Sequence, residues 1–507
     1  GDRAFCAGVN QFVFHTFAHQ PYPAIGPGFT FFYWGLNFNR GNTWWPVVDA
    51  WMAYLARCNM MLRQGQQVCD VLAFAGEDVP NRIAWRDELK PVLPVGYDFD
   101  GCDVTALLEA RAERGTITLP SGSSYRMLLL PDLPTLRPAA AKKVRELSEA
   151  GVTIIAPRRP TRSPSLADRG AGDEAVRDAM AALWEGKRKP FDSFEAAFQR
   201  LGLEPDFEIR QAAADAEILY VHRRVGDTDL YFVSNQQNRP EPFDAIFRIA
   251  GKVPELWDPS TGAMTRPSLV RPVKEGRVAV SLNLDPHGSI FVVFPASPRA
   301  KPLPVHETQR SSEAVTIEGP WRVSFPPNLG APSTATFDRL LSWSDHALAG
   351  IRHFSGTATY TQTFDLPPAT FGELWEVMLD LGHVEVIAQV TLNGQTLPAL
   401  WKPPFRLRID GIAKPGANTL EVRVTNLWPN RMIGDAALPD DIAWQSTGKG
   451  SSLPARWPDW LVQGKPRPSG RIAFCTRKAV YDQHDPLLPS GLLGPVTVYT
   501  ATRMAIK

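Results

Sequence analysis

The sequence predicts a multidomain chain, α/β over its first 204 residues and all-β thereafter. Three observations predict it. Short apolar runs alternate with segments of helical period as far as about residue 204, the pattern of strands covered by helices on both faces. From residue 205 onward, runs of alternating polarity lie between Pro/Gly turns. A Pro-, Ser- and charge-rich stretch over 298–313 separates two such all-β regions. The predicted division is 1–65, 66–204, 205–297, a linker at 298–313, and 314–507. It agrees with the roughly 100–200 residues expected of a domain.

In 1–65, Asn10 to His15 reads as a short buried parallel strand. A Gly/Pro-rich loop runs from Pro21 to Gly41, and Asn42-Thr43 offers a helix N-cap. Trp44, Val47, Val48, Trp51, Leu55 and Leu62 recur at mostly helical spacing, and Gly65 supplies a stop. One strand and one helix cannot bury each other, so the pair reads as the last unit of a larger α/β structure. In 66–204, Val71–Phe74, Met127–Leu130 and Val152–Ile155 read as buried strands. A helix from Ala139 to Ala150 carries Val144 and Leu147 toward a core. This alternation predicts a doubly wound sheet. In 205–297, strands are predicted over 216–222, 229–234, 243–249 and 289–294, forming a small antiparallel sandwich. In 314–507, the runs 357–364, 385–392 (ending at the turn Asn393-Gly394) and 418–424 predict a jelly-roll sandwich.

Composition narrows the function classes. The chain is 44% hydrophobic and 21% charged, with 54 basic against 53 acidic residues. A net charge of +1 gives no field to attract nucleic acid or an anionic membrane. The five cysteines, Cys6, Cys58, Cys69, Cys102 and Cys475, include no C-x-x-C pair, which argues against a disulfide scaffold or a zinc site. No apolar run is long enough to span a membrane, and the first residues carry no signal-peptide pattern. The start at Gly1, without Met, fits either processing or truncation.

The candidate chemistry lies in the opening loop. In an α/β barrel the C-terminal ends of the strands face the active site. His15 ends the predicted strand, and His19, Trp34, Asn37, Asn39 and Arg40 follow in the loop. Imidazole can ligate a metal or bond a sugar hydroxyl, and indole can stack on a sugar face. The commoner use of such residues is core packing. Glycoside hydrolysis needs two carboxyl groups about 5–9.5 Å apart. No Glu precedes Glu77, and Asp2, Asp49 and Asp70 are poorly placed for a barrel site. The doubly wound domain lacks a nucleophile elbow, because Met127–Leu130 runs into Pro131-Asp132-Leu133-Pro134. It resembles the amidotransferase-like sheet found inside several glycosidases, and it reads as structural. In the last region, Trp401, Trp428, Trp444, Trp457 and Trp460 are candidate sugar-stacking platforms. Asp435, Asp440 and Asp441 are candidate calcium ligands, although a solvated acidic loop is the commoner case.

Gly8 to Pro21, Pro27-Gly28 through Trp34-Gly35, and Asn42 to Trp45 resemble the end of the catalytic (β/α)8 barrel of glycoside hydrolase family 106. Gly96 to Asp100 and Leu130-Pro131 are similar to that family's middle domain. Leu400 to Phe405, Asn426-Leu427-Trp428-Pro429-Asn430-Arg431 through Asp435, and Ser490 to Val496 are similar to its C-terminal galactose-binding-like sandwich. The resemblance implies α-L-rhamnosidase activity with inversion, using two Glu upstream of Gly1 and a calcium ion that engages rhamnose hydroxyls. It implies His15 as a calcium or substrate ligand, with His19 second. Asn37 and Asn39 stand where it implies His and an acidic residue, so contacts on this loop are expected to differ. It further implies rhamnose-containing oligosaccharides or polysaccharides as partners, and a periplasmic or secreted location. The chain alone is expected to be inactive. Two other readings stay open: a related barrel glycosidase such as a β-galactosidase, which the Glu-bearing strands would discriminate, and a non-catalytic carbohydrate-binding scaffold, which predicts buried His15 and Trp34.

Overall fold

The computed structural model describes residues 1–30, 38–79, 81–167, 170–299, 303–306, 308–310, 315–372, 375–446, 448, 452–478 and 480–503. The chain forms two compact units. One comprises Gly1–Asn10 and Met60–His306, the other Gln11–Asn59 and Glu307–Lys507. The opening 65 residues, expected as one piece, are therefore shared between them. Helix α1 (Asp2–Cys6) belongs to the first unit, and helix α2 (Val48–Leu62) crosses the boundary.

In the first unit, β1 (Val71–Phe74), β2 (Phe99–Cys102), β3 (Met127–Leu129) and β4 (Thr153–Ile155) form a parallel sheet in the order β2-β1-β3-β4. Successive side chains of a strand point to opposite faces, and both faces here are covered. Leu72, Phe74, Leu128 and Ile154 pack with Val144 and Leu147 of α4 (Pro138–Glu149) and with Val176 and Met180 of α5 (Ala171–Trp184). The intervening Val71, Ala73, Met127 and Leu129 pack with Phe194, Ala197 and Phe198 of α6 (Phe194–Leu201). Burial on both faces is why these strands read as unbroken apolar runs. (The label α3 is given to Val104–Glu109, capped by the Asp103 carboxylate through the Ala106 N–H.)

The same unit continues into a sandwich. Strand β5 (Phe207–Arg210) pairs with β8 (Glu241–Phe247), which pairs in turn with β9 (Arg277–Leu284). In the facing sheet, β7 (Thr228–Asn235) lies between β6 (Ile218–Val225) and β10 (Ser289–Phe294). Tyr231, Val233, Phe243, Phe247, Val280, Val292 and Phe294 fill the space between the sheets. Phe5 of α1 is fully buried, edge-on to Phe232 at 5.8 Å.

The second unit is built on a six-stranded and a five-stranded sheet. In the first of these, β11 (Thr357–Leu366) pairs along its whole length with β14 (Gly416–Thr425), and β14 pairs with β13 (Ile387–Leu392). In the second, β12 (Trp375–Asp380) pairs with β15 (Thr497–Arg503). Ala358, Tyr360, Val377, Leu379, Val390, Leu420 and Val422 lie in one core between them. The predicted turn at Asn393-Gly394 has φ of 50° and 83°, the left-handed pair a two-residue hairpin requires. Helix α7 (Pro429–Ala436) starts with Pro429 at its first position, where the missing N–H costs nothing.

Two expectations are corrected here. Asn10 to His15 is not a strand: 11–26 contains no regular secondary structure, and Val13 is 84% exposed. A strand is held by hydrogen bonds to neighbours, and no strand among the described residues pairs with this run. Nor do Asn42 and Thr43 cap the helix. A 3₁₀ turn, Trp45–Val47, intervenes around Pro46, and the Thr43 hydroxyl donates to the Asn426 carbonyl instead.

Candidate functional site

The predicted site residues fall on the irregular stretch 11–47. Trp34 and Asn37 lie outside the described residues. His15 and His19 are both exposed, and so is Arg40. Buried amides give this stretch its shape. Gln20, 3% exposed, donates from Nε2 to the Phe29 carbonyl and accepts the Phe29 N–H at Oε1, both at 2.8 Å. A side-chain amide thus completes the backbone pairing that a strand would otherwise supply. Gly28 must lack a side chain, since a Cβ there would lie 2.1 Å from Gln20 Oε1. The Arg40 guanidinium donates to the Gln20 carbonyl at 2.8 Å, which ties its charge back to the loop. Asn39, almost fully buried, accepts the Gly41 N–H at 2.6 Å, and Asn42 donates to the Asn39 carbonyl at 3.2 Å.

The loop is also fastened to the C-terminal sandwich. Pro27 and Gly28 run parallel to Phe474 and Cys475, and the Thr30 N–H donates to the Thr476 hydroxyl. The Trp428 indole donates to the Gly41 carbonyl at 2.8 Å. The Gly26 backbone fits against the same ring only because it has no Cβ, which would sit 2.2 Å from Trp428 Cζ2. Part of the Asn-Leu-Trp-Pro-Asn-Arg block therefore has a local task, which is to hold the loop.

Beside the histidines lies an aromatic shelf centred on Phe38. Phe14 stacks on it at 4.6 Å, and Phe17, Trp44, Trp45 and Trp51 surround it at 5.0–6.2 Å. Phe14 and Phe17 remain 41% and 52% exposed. The shelf can present an apolar face with two imidazoles and one tethered guanidinium. It has no adjacent carboxylate of the expected kind. Asp49 is exposed on α2, and Asp70 is buried in the other unit, ion-paired to Arg248 at 2.8 Å.

The parallel sheet does not read as a second active site. The switch point between β1 and β3, where such sheets bind ligands, is bridged by protein groups. Thr135 donates to Asp78 at 2.9 Å, and Glu77 accepts both the Arg137 N–H and its guanidinium. Burial, with Asp103 and Asp100 nearby, pushes the Cys102 thiol up to about 12, far from a reactive thiolate.

Of the five candidate tryptophans, only Trp457 is well exposed, at 45%, with its ring stacked on Phe29 at 4.7 Å. Trp428 and Trp460 are buried, Trp444 donates to Asp440, and Trp401 packs against Tyr54. The candidate calcium carboxylates are engaged by protein donors. Asp435 accepts the N–H groups of Ile472 and Ala473, Asp440 accepts those of Ile442 and Trp444, and Asp441 accepts Arg467 and Ser469. Calcium takes six to eight oxygen ligands. Among the described residues no group of three or more His, Cys, Asp or Glu converges on a point, at His15 or elsewhere. These residues alone do not fit a calcium ion.

The loop-pinning amides Gln20, Asn39 and Asn42 were missed by sequence reasoning, although amides inside a Gly/Pro-rich loop are a usable signal. No helix among the described residues is long and apolar enough to cross a membrane.

Comparison with known proteins bears on the whole arrangement. The family described as alpha-L-rhamnosidase, glycoside hydrolase family 106, matches residues 1–269. A rhamnosidase structure from Novosphingobium sp. PP1Y is similar over 98% of this chain, with a TM-score of 0.80 and 31% identity. A relative from Formosa agariphila, named as a candidate beta-glucuronidase, is 26% identical over 98% of the chain. The chain spans 45% of the first and 61% of the second. With more than half its length matched, the chain belongs to glycoside hydrolase family 106.

Proposed function

We propose that this chain is the C-terminal portion of an inverting α-L-rhamnosidase that removes terminal α-L-rhamnose from oligosaccharides or polysaccharides outside the cytoplasm. The observation that carries this reading is the family match over residues 1–269, which includes the loop bearing His15, His19 and Arg40. Inversion needs one protonated carboxyl to donate to the leaving oxygen and one carboxylate to activate water on the opposite face. With no Glu before Glu77, we assign both to residues upstream of Gly1. This chain then supplies one wall of the sugar pocket: the aromatic shelf for the apolar face of rhamnose, and His15, His19 and Arg40 for its hydroxyls. Calcium, if the whole enzyme uses it, needs ligands beyond those described here.

A binding role for the C-terminal sandwich is favoured by one specific observation, the exposed Trp457 ring held flat by Phe29. A preorganised ring with one open face is what sugar stacking requires.

The deciding experiment assays this chain, and a version extended upstream through a full barrel, on p-nitrophenyl α-L-rhamnoside and on the corresponding β-glucuronide. Rhamnoside cleavage by the extended version alone is the expected result. Cleavage by this chain alone would overturn the placement of the carboxyl pair, and cleavage of the glucuronide alone would overturn the substrate.

A further inference from the structure

Where the parallel sheet meets the first sandwich, the chain buries charges that the proposed function does not use. His222 on β6 is 1% exposed, with a carboxylate against each ring nitrogen. Nδ1 lies 3.0 Å from Asp206 Oδ2, and Nε2 lies 3.1 Å from Asp229 Oδ1. Asp206 and Asp229 are themselves 3% and 1% exposed. The Tyr231 ring stacks on the imidazole at 3.9 Å, and its hydroxyl donates to Asp206.

A neutral imidazole has one N–H and one lone pair. With two ionised carboxylates, either tautomer turns its lone pair on an oxygen, and burial makes that repulsion costly. The geometry is satisfied only when the trio holds one further proton, carried most simply as imidazolium. The surrounding charges keep that proton on the histidine, because each aspartate already has other cations. Arg248 reaches Asp206 at 3.3 Å and Asp70 at 2.8 Å, while Lys252 and Arg224 each reach Asp229 at 2.7 Å.

The trio also sits on a joint. Asp206 leads into β5, and its N–H donates to the Gly96 carbonyl in the loop between β1 and β2. The His222 carbonyl accepts the N–H of Val68, three residues before β1. Arg248 ties Asp206 to Asp70, the residue directly before β1. We propose that Asp206, His222 and Asp229 form a proton-held latch that joins the parallel sheet to the first sandwich and loosens in alkali.

The electrostatics agree in direction. Burial alone would push His222 down, but Asp206 and Asp229 outweigh it and raise it above its ordinary value. Burial would likewise raise Asp206 and Asp229, yet their cationic partners hold both below the usual carboxylate range. A raised histidine stabilises fully below about pH 6.5, its unfolded value, and that stability is lost as pH rises through the folded value. Depressed aspartates stabilise above about pH 4 and lose this as pH falls through their folded values. Asp98 runs differently. Burial pushes it up to about 7, so it costs stability as pH climbs from its ordinary value to 7. The latch is therefore read above pH 7, with Asp98→Asn as the control.

The experiment is histidine NMR on the folded chain, with amide exchange and melting temperature followed from pH 6 to 9.5. The expected result is that one buried imidazole stays protonated at least a full pH unit beyond the exposed ones. The Val68 and Asp206 amides should then exchange at least tenfold faster than intrinsic base catalysis predicts above its midpoint, with a parallel fall in melting temperature. His222→Asn should flatten that fall, and if it does not fold, Asp229→Asn should lower the His222 midpoint by about one unit. A His222 that titrates with the exposed histidines overturns the proposal, as does an Asp229→Asn midpoint that does not move. The outcome does not depend on the rhamnosidase reading, because no substrate is involved.

Discussion

The two sandwiches solve the same problem with different chemistry. Each buries polar groups where loops converge on a sheet. The first does it with ions: His222, Asp206 and Asp229, flanked by Arg248 and Lys252. The second does it with neutral groups. Asn426 accepts the Gly356 N–H at 2.9 Å and donates to the Phe354 carbonyl at 2.7 Å and to the Ser490 hydroxyl at 3.1 Å. Asn430 donates to the same hydroxyl, and Tyr360 OH receives both the Trp343 indole and the Leu492 N–H. A neutral network holds its geometry at any moderate pH. An ionic one is strong only while every charge is present, and it fails sharply when one is removed.

Three substitutions sharpen that comparison. The largest effect is expected at Asp229→Ala, which strands His222, Lys252 and Arg224 around a missing carboxylate. A loss of about 3–5 kcal/mol in urea unfolding at pH 6 is expected. A loss below about 1 kcal/mol would mean that the ions contribute little. Next comes Asn426→Ala, which orphans the Gly356 N–H and the Phe354 carbonyl at a cost of about 2–4 kcal/mol. That cost should be the same at pH 6 and pH 9, and a pH-dependent value would break the contrast between the sandwiches. The smallest is Trp457→Ala, an exposed ring, with a stability change within about 0.5 kcal/mol. It should nevertheless weaken retention on a rhamnose-bearing matrix if the ring is a sugar platform, and unchanged retention would remove the binding reading of the sandwich.

Legibility followed local pattern. The strands at 71–74, 127–129 and 289–294 were readable because each is a short apolar run between turn residues, and each folds over the residues expected. The hairpin at Asn393-Gly394 was readable because that dipeptide accepts left-handed backbone. The run Asn10 to His15 looked the same on paper and does not form a strand, since apolar composition cannot supply the neighbouring strand that makes one. The loop site was half legible. His15, His19 and Arg40 could be singled out by residue type and position. Their support from Gln20, Asn39 and Asn42 could not, because a buried amide and an exposed one are spelled alike.

By itself the sequence determined the class of each region, the near-neutral charge, the lack of any Glu before residue 77, and the family resemblance. Those depend on period, count and motif, which are local properties of a chain. Only the tertiary structure decided which of five tryptophans stays open, which carboxylates are taken by Arg431, Arg467 or backbone N–H groups, and that His222 lies between two buried aspartates. Asp206 and His222 are 16 residues apart and meet only because β5 and β6 lead into different sheets around one core. Burial and partnership are set by such long-range pairings, and they determine what a titratable side chain can do.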